Sequence, residues 1–542
     1  MRIGVGQINT IPGDIEGNGK KMEEYMREGR DCDVVVFPEL SLPGYIPKDI
    51  ILRRYFVEEQ LERLEKMVKK TGKTAVIGGY IEKGKRKHAN VYDLSSVRYR
   101  KDEVFYNAAF LARDGELVGK YFKKHLPSFD VYNEERYFTP GEEKGVFEVN
   151  GKKIGINICE DIWYDEGPVD EQASLGAELI INISASPFYR GKPGIRRRLV
   201  SKRARENKTF ILYVNLVGGW DEIVFDGGSF ACDPDGDIVF LAPSFKEGLF
   251  VWDMEKKERI EVKEGGYREV KDAIVLGIRD YVRKNGFRGV VLGLSGGIDS
   301  AVVACLAVEA LEKENVFAIF MPGDFTSPES REDAYEIAQR LGIKLVEVPI
   351  SQIYHEFLSL IEKSFPLDTL SKENLQARIR GNILMAYANK ERLLVLATGN
   401  KSEISIGYNT LYGDTVGAMA PIGDLYKNEV YEIARILNEK REIIPERVFK
   451  KPPSAELRKD QRDEDDIPPY AMLDPVLYHL IEENMSVEEI VGKGYPRDVV
   501  EEILRRYYIA EYKRKQIPFA IKVSSKAFGS GRRVPITHRY RK

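Results

Sequence analysis

The sequence is short of the residues that define several common classes of protein. Its 542 residues include only four cysteines and five histidines, and the cysteines form no CxxC pair. Such scattered Cys and His residues argue against a disulfide framework, a zinc knuckle and an HExxH-type metal site. Unpaired cysteines are typical of a reducing compartment, so we expect the protein in the cytoplasm.

The sequence also lacks an excess of charge of either sign. Its 83 basic and 86 acidic residues give a formal net charge of -3. Bulk electrostatic attraction to nucleic acid or to a membrane surface is therefore not expected. No apolar run reaches the length that spans a bilayer, and the first residues, MRIGVGQINT, predict a strand rather than a signal peptide. The expected partners are small molecules.

The length exceeds what one hydrophobic core usually holds, and the sequence predicts two α/β domains. In residues 1–250, short apolar runs alternate with helix-like segments, which is typical of a layered domain with mixed sheets. The charged residues 251–269 are predicted to be a linker. In residues 270–542, buried strands alternate regularly with helices, which predicts a doubly wound parallel sheet.

The stretch GVVLGLSGGIDSA (residues 289–301) combines a buried strand, a glycine-rich turn and a helix start. Such a turn directs backbone N–H groups and a helix N-terminus at an anion. Gly296 and Gly297 allow phosphate to approach the backbone, and Ser295 and Ser300 add hydroxyl donors. We call residues 295–300, SGGIDS, the phosphate loop. The alternative is a turn that only caps a helix.

The phosphate loop has no lysine but carries Asp299. A carboxylate beside bound phosphates repels them unless a divalent cation lies between, so the loop predicts an ATP site with Mg²⁺. A loop without the phosphate-transferring lysine indicates that pyrophosphate leaves and an acid becomes adenylated. Arg378, Arg380 and Lys427 offer cations for phosphate, although charged helix residues are often only solvated.

The SGGxDS signature resembles that of the pyrophosphatase-loop ATP ligases. The later motifs ENLQARIRG, ATGNKSEISIGYNTLYGD, PIGDLYKNEV and KPPSAEL resemble the NAD⁺ synthetase family in the same order. The resemblance implies an adenine nucleotide α-hydrolase-like domain with Thr398 as a further ATP ligand and with Asp299 and Glu403 as metal ligands. The contacts for deamido-NAD⁺ that the resemblance implies are Asn374, Glu403, Tyr408 and Asp414. Arg378 and Lys427, as cations, and Lys513, from the C-terminal tail, are further candidate contacts for deamido-NAD⁺. The run RKDQRDEDDIPPY (residues 458–470) is predicted to be a solvated loop.

Cys159 in GINICEDIW follows a predicted strand, where an elbow exposes a nucleophile. A thiol needs activation, and the local motif contains no histidine. Glu39 in VVVFPEL can serve as the general base, and Lys123 in GKYFKKHLP can stabilise a thiolate and an oxyanion. Lys124 stays open as an alternative to Lys123, although the spacing to the following Leu-Pro favours Lys123.

Glu, Lys and Cys in this chain order and in these motifs resemble the carbon–nitrogen hydrolase (nitrilase) superfamily. The resemblance implies an αββα sandwich with Glu39 as base, Lys123 as oxyanion partner, Cys159 as nucleophile and Glu134 as a supporting carboxylate. Glu135 is the adjacent alternative to Glu134. The implied glutamine contacts are Phe129, Ser186 and Lys192, with Phe129 lacking a hydroxyl.

Together the two resemblances imply that ammonia is released from glutamine through a Cys159 thioester. The second domain would then use ATP to join this ammonia to deamido-NAD⁺, with AMP and pyrophosphate as by-products. Relatives associate through the synthetase domain, so a homo-oligomer is expected. Two alternatives stay open: an amidating ligase for another carboxylate, and a non-catalytic nucleotide-binding scaffold built on the same domains.

Overall fold

The computed structural model of the chain describes residues 1–53, 55–85, 103–256 and 258–540. The chain divides into two compact units. Unit 1 comprises Met1–Gly218 and Val224–Glu264, and unit 2 comprises Gly219–Ile223 and Gly265–Lys542. Each unit has its own hydrophobic clusters and its own central sheets.

Unit 1 is built from strands and a smaller number of helices. Its strands are β1 (Arg2–Gln7), β2 (Val34–Val36), β3 (Ala75–Lys85), β4 (Glu103–Arg113), β5 (Glu116–Phe122), β6 (Val146–Val149), β7 (Lys152–Ile158), β8 (Leu179–Ser184), β9 (Phe210–Asn215), β10 (Val217–Trp220), β11 (Ile223–Asp226), β12 (Phe230–Cys232), β13 (Ile238–Leu241) and β14 (Gly248–Asp253). Its helices are α1 (Ile15–Glu28), α2 (Phe56–Val68), α3 (Pro168–Ser174) and α4 (Lys192–Asn207). The hairpin β10–β11 includes Gly219–Ile223, which belong to unit 2.

Twelve of these strands form two six-stranded mixed sheets, in the orders β14-β1-β2-β3-β4-β5 and β13-β12-β9-β8-β7-β6, and β10 and β11 form a separate two-stranded sheet. Apolar side chains from both sheets share one core cluster, because residues such as Val5 and Ile77 of the first sheet alternate inward towards Ile156 and Ile181 of the second. A separate apolar cluster joins α4 to the outer face of the second sheet through Val200 and Ala204. Helices α1 and α2 pack on the first sheet. The expected αββα sandwich is confirmed.

The predicted boundary at residue 250 falls inside β14, which continues to Asp253 and pairs antiparallel with β1. Trp252 is buried in the core. The burial of its apolar ring stabilises β14 and so keeps this segment in unit 1, although charged residues follow it in the sequence. The predicted linker at 251–269 also ends inside a helix, because α5 begins at Tyr267. Lys257 of that stretch lies outside the described residues.

Unit 2 is an alternating α/β unit. Its strands are β15 (Val290–Gly293), β16 (Val316–Phe320), β17 (Lys344–Glu347), β18 (Leu394–Leu396), β19 (Met419–Ala420) and β20 (Phe519–Ala520). Its helices are α5 (Tyr267–Lys284), α6 (Ile298–Leu311), α7 (Pro328–Leu341), α8 (Ser351–Glu362), α9 (Thr369–Glu391), α10 (Lys401–Ile406), α11 (Lys427–Asn438), α12 (Glu446–Lys450), α13 (Tyr470–Ile481), α14 (Val487–Gly492), α15 (Arg497–Ile509) and α16 (Glu511–Arg514).

The sheet of unit 2 has the order β17-β16-β15-β18-β19-β20, and every pairing in it is parallel. The strand order reverses between β15 and β18, so the crevice for a ligand is expected beyond the carboxyl ends of these two strands. The phosphate loop follows β15, and the motif ATGN follows β18. The predicted doubly wound sheet is confirmed, and it places both motifs at the switch point.

Local capping explains where the helices around this crevice begin. Ser327 caps α7 by accepting the N–H of Ser330, and Pro328 occupies the first helical turn. Asn400 and Glu403 form a reciprocal capping box at the start of α10, and Gly407 ends that helix in the left-handed region. Among the described residues, no helix has the length and apolar character needed to cross a membrane.

Candidate active sites

The site in unit 1 lies where three strands end. Glu39 follows β2, Lys123 follows β5 and Cys159 follows β7, and all three side chains are buried. The Lys123 Nζ donates to Glu39 Oε1 at 2.7 Å and to both carboxylate oxygens of Glu134 at 2.9 Å. The sequence-predicted base, lysine and supporting carboxylate therefore form one hydrogen-bonded cluster.

Lys124 and Glu135, the neighbours of Lys123 and Glu134 in the sequence, do not join this cluster. The Lys124 Nζ donates to Glu171 at 2.6 Å, away from Glu39, and Glu135 is exposed whereas Glu134 is fully buried. The geometry thus favours Lys123 and Glu134 as the members of the cluster.

Cys159 opens a 3₁₀ turn with a φ of 47°, in the left-handed region that a non-glycine residue seldom adopts. Such a turn at the end of a strand presents the side chain at a sharp elbow. Burial raises the pKa of the Cys159 thiol well above its ordinary value, the Glu39 carboxylate raises it further and the Lys123 ammonium lowers it. The resting group is a neutral thiol, so reaction requires a base to remove its proton.

The charges within the cluster suit a base and a permanent cation. Burial lowers the pKa of Lys123, but the carboxylates of Glu134 and Glu39 outweigh this effect and raise it well above its ordinary value. Burial raises the pKa of Glu134 to about 7, against the opposing effect of Lys123. Lys123 therefore stays protonated and can stabilise an oxyanion throughout a reaction.

Several residues that support this cluster lie outside any recognisable motif, so sequence analysis did not identify them. Asn107 donates from Nδ2 to Glu39 at 2.7 Å and to Glu134 at 3.3 Å, and the Tyr45 hydroxyl donates to Glu134 at 3.0 Å. Asp161, two residues after the cysteine, accepts the backbone N–H groups of Ile158 and His125 at 3.1 and 2.9 Å. Asp161 thereby ties the cysteine elbow to the strand end that carries the lysine.

The proposed glutamine residues lie on three segments. Ser186 is buried, and its backbone N–H donates to Asn215 Oδ1 at 2.8 Å. The Lys192 Nζ, in the first turn of α4, lies 4.2 Å from the ring centroid of Trp163. Burial and the nearby Arg196 lower the pKa of Lys192 to about 8. Phe129 is 57% exposed and packs edge-on against Tyr132, whose hydroxyl is a candidate that the sequence did not single out.

The site in unit 2 is a cavity of about 750 Å³ at the switch point, which is large enough for a nucleotide-sized ligand. It brings together most of the residues predicted from the motifs. These cavity-lining residues are Ser295, Gly297, Asp299, Ser300, Asn374, Thr398, Glu403, Tyr408, Asp414, Lys427 and Lys513, together with Arg380. Arg378 does not line the cavity. Its side chain is exposed, and its Nε donates to the carbonyl of Leu411 at 3.2 Å.

The phosphate loop is held by its own hydroxyls. Ser295 and Ser300 share an Oγ–Oγ hydrogen bond of 3.1 Å, and the N–H of Gly297 donates to Ser295 Oγ at 3.3 Å. Gly296 has a φ of 82°, and a Cβ at this position would lie 2.2 Å from the carbonyl oxygen of Ser330. Only glycine can bring the loop this close to α7.

Two carboxylates and one lysine form the charged centre of the cavity. Lys427 Nζ forms an ion pair with Asp299 and lies 3.8 Å from Glu403 Oε1, and Asn400 Nδ2 donates to Asp299 at 3.0 Å. Burial raises the pKa of Glu403 well above its ordinary value, and the nearby Asp299 raises it further. The described residues contain no group of three or more His, Cys, Asp or Glu side chains placed to hold a metal ion by themselves. Asp299 and Glu403 nevertheless supply the hard oxygen ligands that Mg²⁺ prefers when phosphate oxygens complete its shell.

The prediction of a solvated loop at residues 458–470 holds for only part of the run, because residues such as Lys459, Asp460 and Glu464 are exposed whereas Gln461, Ile467 and Tyr470 are buried. Asp463 of this run is buried and accepts the Tyr470 hydroxyl at 2.9 Å, and Arg458 forms ion pairs with Glu373 and Asp466 at 3.0 and 2.8 Å. Of these partners, Tyr470 and Asp466 belong to the run itself and Glu373 lies on α9. Arg458, Asp463 and Asp466 also line the cavity, so this part of the run packs beside it.

Comparison with known proteins agrees with the division of the chain into two units with separate candidate sites. The family model described as carbon-nitrogen hydrolase matches residues 2–264, and the model described as NAD synthase matches residues 270–517. The glutamine-dependent NAD(+) synthetase of Aquifex aeolicus is 42% identical over 580 residues, an alignment that covers 100% of this chain and 100% of that protein. The chain belongs to the glutamine-dependent NAD(+) synthetase family. Family membership confirms the predicted reaction class, an ATP-using carbon–nitrogen ligase with a glutaminase half and an NAD synthase half.

Other full-length relatives support the same assignment. The glutamine-dependent NAD(+) synthetase of Thermotoga maritima is 42% identical over 591 residues and covers 100% of this chain and 99% of its own. The solved structure of glutamine-dependent NAD⁺ synthetase from Acinetobacter baumannii, in complex with ADP, matches with a TM-score of 0.77 at 36% identity. That match covers 99% of this chain and 98% of the solved one.

Proposed function

We propose that unit 1 releases ammonia from glutamine at Cys159 and that unit 2 uses it, with ATP, to convert deamido-NAD⁺ to NAD⁺. One observation carries the proposal: a buried Glu39–Lys123–Glu134 cluster at a cysteine elbow shares a chain with a phosphate loop facing an Asp299–Lys427–Glu403 centre. The first arrangement suits amide cleavage, and the second suits adenylation of a carboxylate.

In unit 1, Glu39 removes the proton of the Cys159 thiol as the sulfur attacks the side-chain amide of glutamine. Lys123 stabilises the oxyanion of the tetrahedral intermediate. Collapse breaks the carbon–nitrogen bond, ammonia leaves with the proton held on Glu39, and a γ-glutamyl thioester stays on Cys159. Water, activated by Glu39, then hydrolyses the thioester to glutamate. Phe129, Ser186 and Lys192 are proposed to hold the amino-acid end of glutamine.

In unit 2, an oxygen of the nicotinate carboxylate attacks the α-phosphorus of ATP, and the bond from that phosphorus to the bridging oxygen breaks. The phosphate loop holds the departing pyrophosphate through its N–H groups and hydroxyls. Ammonia then attacks the adenylated carbonyl and AMP leaves, because AMP is a far better leaving group than oxide. The cavity-lining residues proposed to contact deamido-NAD⁺ are Asn374, Glu403, Tyr408, Asp414, Lys427 and Lys513, and Thr398 is proposed to contact ATP. Arg378 lies outside the cavity and is proposed as a contact only for a part of deamido-NAD⁺ that extends beyond it.

Asp299 and Glu403 are the proposed ligands of Mg²⁺. This ion, when bound with ATP, would neutralise charge on the phosphates. The ion pair of Lys427 with Asp299 shows that the two carboxylates already face a positive charge at this point of the cavity. The observed donor set, two carboxylates near the phosphate loop, fits a cation shared with substrate phosphates.

The test of the proposed function is a product assay with the full chain. Deamido-NAD⁺, ATP and Mg²⁺ should yield NAD⁺, AMP and pyrophosphate with either glutamine or ammonium as donor. Ligation of ammonia to another carboxylate, with deamido-NAD⁺ inert, would show that the chain is a different amidating ligase. Tight binding of deamido-NAD⁺ without turnover would favour a non-catalytic scaffold.

Lys192 predicts how glutamine use depends on pH. A lysine whose pKa is about 8 is charged below that pH and loses its charge above it, so its attraction for the α-carboxylate of glutamine should fade above pH 8. We expect kcat/KM for glutamine to fall by up to about tenfold per pH unit above pH 8 in the wild type. In Lys192→Arg, which stays charged, the fall should begin at higher pH.

The Lys192→Arg variant controls for titration of glutamine itself, because the substrate titrates identically with both proteins. Identical pH profiles of kcat/KM for the two proteins would contradict the role of Lys192. The ammonium-dependent reaction of both proteins should show no such fall.

A homo-oligomer is the proposed assembly. One face of α8 in unit 2 is apolar and exposed, with Ile353, Phe357 and Leu360 being 44%, 43% and 67% exposed. Large exposed apolar side chains on one face of a helix are typical of a subunit interface. Mass photometry should show a dimer or larger assembly that Leu360→Glu dissociates and that Leu117→Glu, at an exposed site in unit 1, leaves intact.

A cytoplasmic location is the proposed compartment. The four cysteines are all free and buried, which is the state expected in a reducing environment. Fluorescence of a tagged full-length chain in its own cell would show a diffuse interior signal.

A further inference from the structure

A carboxylate, an ammonium group and two hydroxyls meet beside the phosphate loop. Glu456 Oε1 accepts hydrogen bonds from Ser327 Oγ at 2.8 Å and from Ser330 Oγ at 2.7 Å. The Lys451 Nζ lies 3.3 Å from the same oxygen and also donates to Ser330 Oγ. The backbone N–H of Ser327 approaches Glu456 Oε2 at 3.4 Å. These donors form a site for an anion, and a side chain of the protein itself fills it.

This anion site adjoins the nucleotide site. The carbonyl of Ser330 is the group that a Cβ on Gly296 would strike, so the first turn of α7 packs directly on the phosphate loop. Ser330, Lys451 and Glu456 line the same cavity as Ser295 and Gly297. The N-terminus of the 14-residue α7 adds its own preference for negative charge.

The phosphate loop has no cationic side chain of its own. Its sequence, SGGIDS, has no lysine, and the lysine nearest its aspartate, Lys427, is already engaged by Asp299 and by Glu403. The triphosphate of ATP brings several negative charges into this half of the cavity, and a further ammonium group would stabilise the two phosphates that leave. Lys451 is such a group, and it is bound to a carboxylate rather than buried in the core.

The conformation around Glu456 depends on this contact. Glu456 has a φ of 50°, in the left-handed region that non-glycine residues seldom adopt, so surrounding interactions must hold it there. Its carboxylate is held by the two serine hydroxyls, Lys451 and the N–H of Ser327, and its own backbone N–H donates to Ser454 Oγ at 3.1 Å. A stronger anion that took these donors would release the strained residue.

We propose that Lys451, Ser327 and Ser330 form the subsite for the outermost phosphate of ATP, and that the Glu456 carboxylate occupies this subsite until the nucleotide displaces it. The inference rests on the proposed function, because it assigns a partner to the pyrophosphate that leaves. When the bond from the α-phosphorus to the bridging oxygen breaks, its electron pair stays on pyrophosphate. Lys451 stabilises the charge that develops there and replaces the lysine that the phosphate loop lacks.

The two side chains are predicted to have opposite effects on ATP. With saturating deamido-NAD⁺, Mg²⁺ and ammonium, Lys451→Met should raise KM for ATP about tenfold or more and lower kcat, as expected when a charged hydrogen bond to phosphate is lost. Glu456→Gln removes the competing anion and should lower KM for ATP and strengthen inhibition by added pyrophosphate. Lys451→Arg should retain most of the activity.

The matched control is Lys450→Met, one residue earlier, where the lysine side chain is 74% exposed and pairs with Glu446. Kinetics of Lys451→Met that equal those of Lys450→Met would overturn the proposal. A rise in KM for ATP in Glu456→Gln, in the same direction as Lys451→Met, would also overturn it and identify the carboxylate as a clamp on the fold. If the wild type makes no NAD⁺ from ammonium, the proposed function fails; if it does and the variants do not separate, only this inference fails.

Discussion

Cys159→Ala should abolish NAD⁺ formation from glutamine and leave NAD⁺ formation from ammonium within about twofold of the wild type. The thiol forms the only covalent link to glutamine in the proposed route, and loss of a catalytic nucleophile commonly costs on the order of 1000-fold or more in kcat. The measurement is the initial rate of NAD⁺ formation with each donor at saturating ATP and deamido-NAD⁺.

The control for this prediction is Cys32→Ala, which removes another buried thiol of unit 1 away from the Glu39–Lys123–Glu134 cluster. It should keep both reactions. If Cys159→Ala still uses glutamine, ammonia is released by some other group and the role of the elbow is wrong. If it loses the ammonium reaction as well, the two half-reactions are not separable as proposed.

Asp299→Asn should reduce NAD⁺ formation about 100-fold or more with either donor, because it removes a proposed ligand of the metal ion and the acid partner of the buried Lys427. Glutamine hydrolysis belongs to unit 1, so alkylation of Cys159 by iodoacetamide should proceed at the wild-type rate. The donor-independent loss distinguishes this variant from Cys159→Ala.

The matched control for that change is Asp498→Asn, at an exposed aspartate in the first turn of α15. It should have no effect on either donor. Because removing one member of a buried ion pair can destabilise a fold, thermal unfolding is measured alongside. A correctly folded Asp299→Asn variant with full NAD⁺ formation would contradict the assignment of Asp299 to the nucleotide site.

The order of elements and the position of the reactive motifs could be predicted from the sequence. The runs around SGGIDS and GINICEDIW each combine a buried strand with a turn, and local patterns report such units well. The arrangement of these motifs in space could not be predicted in the same way. Glu39, Lys123 and Cys159 lie at the ends of strands in two different sheets of unit 1, and only the packing of those sheets brings them together.

The residues that sequence analysis missed depend on long-range contacts. Asn107 lies within β4 and belongs to no motif, yet its side-chain amide donates to both Glu39 and Glu134. The charged run at 458–470 was predicted to be solvated, but its partners Glu373 and Tyr408 lie in segments far away in the chain. The composition of a segment gives the number of its charged residues. Whether those side chains are buried depends on the partners that the fold places beside them.

Oxygen transfer from substrate to AMP tests the central claim most directly. Deamido-NAD⁺ labelled with ¹⁸O in its nicotinate carboxylate is converted with ATP and ammonium, and the products are analysed by mass spectrometry. An adenylated intermediate predicts one ¹⁸O atom in the phosphate of AMP and none in pyrophosphate. Label that appears instead in orthophosphate, with ADP as the nucleotide product, would contradict the adenylation that this cavity is proposed to perform.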